Sequence, residues 1–104
     1  MEEGDQLYTV GVWTAKPGKE ADFVRAWDAF AQWTSAHQPG AADARLLQDI
    51  AHPQRFLSFG PWENAQRIDA WRATPEFRAF ATAARELCEE FQPGTFKLVT
   101  HIAP

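Results

Sequence analysis

A chain of 104 residues makes one small domain, here taken as 1–104 with about 6–103 ordered, and its single cysteine, Cys88, excludes an internal disulfide. A net charge of −4 with scattered basic residues leaves no phosphate-binding stripe, which argues against nucleic acid as a partner. No apolar run approaches the roughly 20 residues of a membrane span, the start MEEGDQ is too acidic and polar for a signal peptide, and the expected location is cytoplasmic.

Residues 1–5 read as a loose end. Leu7–Ala15 is rich in β-branched and aromatic residues and reads as a strand, stopped by Lys16-Pro17-Gly18. Lys19–His37 follows as a helix, with Phe23, Trp27, Phe30 and Thr34 on one face and Glu20 and Asp22 in the first turn, where the helix dipole favours negative charge. Gln38-Pro39-Gly40 ends it. Ala44–Ile50 and Arg55–Gly60 form a hairpin around His52-Pro53-Gln54. After Pro61 a short helix covers Glu63–Ala73. Thr74-Pro75 starts another as N-cap and first helical residue. That helix is expected to run to about Phe91, with Phe77, Phe80, Ala81, Ala84, Leu87, Cys88 and Phe91 on one stripe, until Gln92-Pro93-Gly94 breaks it. Thr95–Ile102 is the last strand. On this reading Cys88 is a buried structural thiol on a helix.

The order βαββαβ predicts an α+β, ferredoxin-like fold: a four-stranded antiparallel sheet with helices on one face. The strand at Arg55 is apolar on both faces, and the first strand splits into Leu7 and Trp13 on one side, Tyr8, Val10 and Val12 on the other. Helices cover one face only. The other is expected to meet a second copy of the same sheet in a two-fold homodimer.

The chain resembles the antibiotic biosynthesis monooxygenase family of dimeric α/β barrels. The matching residues are Ala15-Lys16-Pro17-Gly18-Lys19-Glu20 with Phe23, then Pro39-Gly40, then Phe59-Gly60-Pro61-Trp62-Glu63-Asn64, followed by Ala70-Trp71 and Thr74-Pro75-Glu76-Phe77. The resemblance implies two possible chemistries. Members that oxidise anthrone-like polyketides without a cofactor use a third-strand Asn and a Trp four residues on. Trp62 fills the second position, and Ser58, still able to hydrogen-bond a phenolic or carbonyl oxygen, stands at the first. Haem-degrading members use a first-strand Asn, a Trp in the second helical region and a His ligand. Trp71 matches the Trp, but Val10 and Ala81 stand at the other two positions, which removes the axial ligand.

Gly60-Pro61-Trp62 reads as a corner between strand and helix, and two roles fit Trp62: donating its indole N–H to a substrate oxygen, or packing that corner. Trp13, Trp27, Phe56, Phe59 and Trp71 either line a pocket for a flat aromatic ligand or fill the helix–sheet interface. Of the histidines, His101 on the last strand is the candidate base, with a surface or interface position as the alternative. No His pair has helical metal spacing and no glycine-rich phosphate loop exists, so neither metal nor nucleotide cofactor is expected. The functional expectation is a cofactor-independent monooxygenase acting on a phenolic, anthrone- or quinol-like aromatic, with Trp62, Ser58 and His101 as polar groups. The alternative is a binding or protective module that holds a hydrophobic metabolite without turnover.

Overall fold

A computed structural model describes residues 6–104, so the expected loose end at 1–5 lies outside the described residues. The elements are β1 (Leu7–Ala15), α1 (Glu20–His37), β2 (Arg45–Gln48), β3 (Arg55–Trp62), α2 (Ala65–Arg72), α3 (Pro75–Leu87) and β4 (Cys88–Lys97). The four strands form one antiparallel sheet in the order β2-β3-β1-β4. This is the ferredoxin-like α+β arrangement, with the first strand in the centre.

Side-chain alternation divides the sheet into two faces. Gly11, Trp13 and Ala15 on β1, and Phe56, Ser58, Gly60 and Trp62 on β3, are buried on the inner face. The core gathers there: Trp13, Ala15, Phe23, Phe56, Ala84 and Cys88, with Trp27, Leu46, Phe80, Leu87 and Phe91 packed around it. On the outer face Val10 stands opposite Phe59 and Val12 opposite Leu57. Leu47, Leu57 and Phe96 are exposed there, so an apolar sheet face lies open in the single chain.

Two Pro-Gly pairs make the tight turns at the ends of α1. Gly18 (φ 83°) and Gly40 (φ 89°) adopt the left-handed conformation. The Lys19 N–H donates to the Lys16 carbonyl (2.9 Å) and the Ala41 N–H to that of Gln38 (3.4 Å), the pattern of turns with Pro second and Gly third. At the β2–β3 turn the Asp49 carboxylate accepts from the backbone N–H of Ala51 (2.8 Å) and His52 (3.2 Å). These donors, Ala51 first, hold its pKa below the ordinary aspartate value. The side chains of Asn64 and Thr74 cap α2 and α3 by accepting from Arg67 and Phe77 N–H, and Pro75 opens α3.

Three expectations are corrected. Helix α3 stops at Leu87 rather than Phe91, and β4 runs from Cys88 to Lys97 rather than from Thr95 to Ile102. Cys88 therefore begins a strand. A bulge explains the misreading: Thr14 pairs with Glu90 but Ala15 with Cys88, so Glu89 is an extra residue. The bulge lets Cys88 and Phe91, three apart as on a helix, both serve the core. Pro93 and Gly94 do not break the chain but sit inside β4, opposite Gly11 and Val10. An edge strand has a ladder on one side only and tolerates proline. Finally, Gly60-Pro61-Trp62 is the end of β3 and not a corner after it. Beyond Phe59 β3 has left β2 behind and keeps β1, plus the single bridge Ala41–Trp62.

Candidate functional site

Between the inner sheet face and the helices lies a cavity of about 570 Å³. That is within the ordinary range for small-molecule sites. Gly11, Trp13, Ser58 and Trp62 face it from the sheet, Trp27, Phe30 and Thr34 from α1, Trp71, Phe77 and Phe80 from the second helical region, and Phe91 from β4. The charged residues on its lining are Asp28, Asp43 and Arg72, and both aspartates are exposed at the rim.

The walls are a connected stack of rings. Trp13 lies flat on Phe91 (3.8 Å between centroids, 10° between planes), and Phe30 lies flat on Phe80 (4.4 Å, 3°). Trp62 and Trp71 touch at 4.9 Å, tilted by 41°. Offset-stacked and tilted pairs of this kind add to simple area burial and hold one another's orientation.

Three of the four cavity tryptophans donate their indole N–H to a hydroxyl. Trp13 Nε1 donates to Ser58 Oγ (3.0 Å), Trp62 Nε1 to Thr9 Oγ1 (3.1 Å) and Trp71 Nε1 to Thr34 Oγ1 (3.0 Å). Ser58 and Thr34 are buried, each 8% exposed. Their burial is affordable because each accepts a hydrogen bond, and among the described residues no buried side-chain polar atom lacks a partner.

Gly11 makes the Trp13–Ser58 bond possible. It stands directly opposite Ser58 in the β1–β3 ladder. A Cβ there would fall 2.7 Å from Trp13 Nε1 and 2.9 Å from Ser58 Oγ. With no side chain at position 11, the indole leans along the sheet and reaches across to the neighbouring strand.

Of the sequence-predicted site residues, Ser58, Trp62, Trp13, Trp27 and Trp71 surround the cavity. Phe59 borders it too, but the pleat sends its side chain to the outer face, beside Tyr8, Val10 and Leu57. Phe56 belongs to the core below the cavity, packed at 5.1 Å on Phe23, and does not line it. His101 lies past the end of β4, exposed, and is not on the cavity lining. That follows from the shifted strand. Trp62 has its N–H committed to Thr9. Sequence reasoning missed Thr9, Gly11 and Thr34 as parts of the site. Thr34 left a signal, a hydroxyl on the apolar stripe of α1. Gly11 left none that precedes knowledge of the strand register.

Cys88 takes no part: it is buried, and that burial pushes its thiol pKa upward, against a smaller opposing effect of Lys16. Among the described residues no group of three or more His, Cys, Asp or Glu gathers to hold a metal ion. No helix among them is long and apolar enough to cross a membrane.

The fold and a ring-lined cavity under the helices define a ferredoxin-like domain with a ligand-sized interior. Residues 7–83 match the antibiotic biosynthesis monooxygenase family, and the chain belongs to it. Among solved structures it is similar to SnoaB, a cofactor-independent oxygenase from Streptomyces nogalater (24% identity, TM-score 0.86, covering 96% of this chain and 99% of that one). It is similar also to a conserved protein from Methanosarcina mazei (14%, TM-score 0.82, covering 91% and 94%) and to a protein from Shewanella oneidensis (20%, TM-score 0.79, covering 89% and 90%). At these identities the likeness is one of fold. No curated protein matches the chain.

Proposed function

We propose that the protein is a cytoplasmic, cofactor-independent monooxygenase that oxidises a flat phenolic, anthrone- or quinol-like aromatic. The observation that carries this reading is the cavity itself: stacked rings for walls and a buried hydroxyl, Ser58, on the strand that forms its floor. Membership of the monooxygenase family and the likeness to SnoaB support it.

The chemistry asks little of the protein. An anthrone-type substrate bound between the rings loses a C–H proton to water at the rim, and its oxygen carries the resulting negative charge. The Ser58 hydroxyl stabilises that oxyanion in a site of low dielectric. The electron-rich anion passes one electron to dioxygen, the radical pair joins as a C–O bond, and the peroxide is protonated. Loss of water from the hydroperoxide, taking the second C–H hydrogen, leaves a carbonyl, so substrate and O₂ become quinone and H₂O. Trp13, Trp27 and Trp71 hold the ring system and keep bulk water out. Trp62 gains a donor role only if its N–H turns from Thr9 to the substrate. His101, off the cavity lining, has no part in this scheme.

A second reading rests on that Trp62–Thr9 bond. With the indole N–H already satisfied, the cavity also suits a module that binds a hydrophobic metabolite without turnover. Dissolved-oxygen consumption across a panel of anthrones, quinols and flavonoids separates the two. Uptake that disappears anaerobically and drops about tenfold or more in Ser58→Ala, which removes the hydroxyl at the oxyanion, is the expected result. Tryptophan quenching by the panel with no oxygen uptake would overturn the oxygenase and leave the binding module.

The open apolar face, with Val10, Val12, Leu57 and Phe59 exposed or half-exposed, supports pairing with a second copy through the sheets.

A further inference from the structure

We propose that the three indole–hydroxyl pairs form a set of hydrogen-bond donors that selects ligands by acceptor oxygens on their ring edges and favours the ionised form of those ligands. The inference rests on the aromatic-ligand reading above and adds what that ligand must carry.

The reasoning starts from valence. A hydroxyl has one proton to give and two lone pairs to accept with. In each pair the indole N–H fills a lone pair, so the hydroxyl's remaining proton has to go elsewhere. Among the described residues none of the hydroxyls of Ser58, Thr34 and Thr9 donates a hydrogen bond, unlike those of Thr74 and Thr82, which donate to backbone carbonyls. All three residues line the cavity. Each indole, a fixed donor held by ring stacking, thus passes its donor character on to a hydroxyl at the cavity wall. An O–H whose oxygen already accepts a hydrogen bond is polarised and donates more strongly.

The set leans toward donating. The lining's carboxylates, Asp28 and Asp43, are exposed at the rim. Asp28 already accepts from Gln32 Nε2 (2.7 Å). The buried part of the wall offers donors and rings. A ligand that presents only hydroxyl protons meets just the one lone pair left on each hydroxyl, whereas carbonyl oxygens or phenolate oxygens spaced around a fused ring system meet the polarised O–H donors. Donors at an oxygen also favour its anion over its neutral form. Trp13, Trp62 and Trp71 are positioning residues here, acting through Ser58, Thr9 and Thr34.

Alizarin, a dihydroxyanthraquinone whose ionisation is visible in its absorption, and anthracene, of the same ring outline without oxygen, are the probes. Bound alizarin is expected to ionise at lower pH than free alizarin. The alizarin-to-anthracene affinity ratio, read by tryptophan quenching, should fall roughly 3–10-fold in Ser58→Ala and in Thr34→Val. Trp13→Phe, which keeps a ring and loses the N–H, should shrink the ionisation shift while anthracene still binds. Anthracene affinity reports that the cavity of each variant is intact. An unchanged ratio in both hydroxyl variants overturns the inference. So does bound wild-type alizarin that ionises at or above the pH of the free dye, whatever the variants do. If neither probe binds the wild-type protein, the aromatic-ligand reading itself falls, and this inference with it.

Discussion

Gly11 carries more of the site than its size suggests. It is buried in the central strand, and the space it leaves is filled by an indole belonging to a residue two positions along. Gly11→Ala brings a methyl group within 2.7 Å of Trp13 Nε1, so either the indole or the strand must move. The expected cost is about 1–3 kcal/mol, as for other overpacked cores, read as a lower denaturation midpoint in urea. An unchanged midpoint would mean that Trp13 swings aside freely and that its bond to Ser58 contributes nothing. Residues of this kind mark the boundary of what is legible in sequence. Ser58 stood out only through the family resemblance, at the position of the third-strand Asn, and the tryptophans announced a ring-rich interior. Gly11 and Thr9 gained meaning only from the β1–β3 register, which pairs one with Ser58 and lets the other meet Trp62.

The same Pro-Gly pair has two outcomes at the scale of elements. Pro17-Gly18 and Pro39-Gly40 make turns with φ of 83° and 89°, while Pro93-Gly94 runs straight through β4. Local preference decides the first two, where the chain must reverse around α1. Pairing with β1 decides the third, because nine paired residues of ladder outweigh a turn preference at a sheet edge. The boundary between α3 and β4 was illegible for the same reason: a bulge imitates helical spacing. Helix starts were legible because capping is local chemistry. Thr74 both accepts from Phe77 N–H (3.1 Å) and donates to the Trp71 carbonyl (2.8 Å), joining α2 to α3. Thr74→Ala should lower stability by about 1 kcal/mol, measured by thermal or urea unfolding, and Thr74→Ser should restore most of it. If Thr74→Ser is as unstable as Thr74→Ala, the cap is not the cause.

At the scale of the whole molecule the fold was the most legible feature, since element order and two-faced apolar strands are carried by many residues at once. The proposed pairing of sheets is tested on the outer face. Leu57 is 39% exposed in the single chain and far from the inner core residues. Leu57→Asp is expected to reduce the mass by light scattering to that of one chain, with the far-ultraviolet circular dichroism retained. A wild-type protein already of single-chain mass at micromolar concentration would remove the dimer. The strand order β2-β3-β1-β4 has one more consequence, for the time course of folding. The central strand receives both its neighbours from later in the chain: Leu7 pairs with Trp62 on one side and with Lys97 on the other. During synthesis β1 emerges first and waits longest, its second edge closed only once β4 is made. Such non-local closure slows folding and leaves β1, one of the two strands under the cavity, as the one most in need of protection on the ribosome.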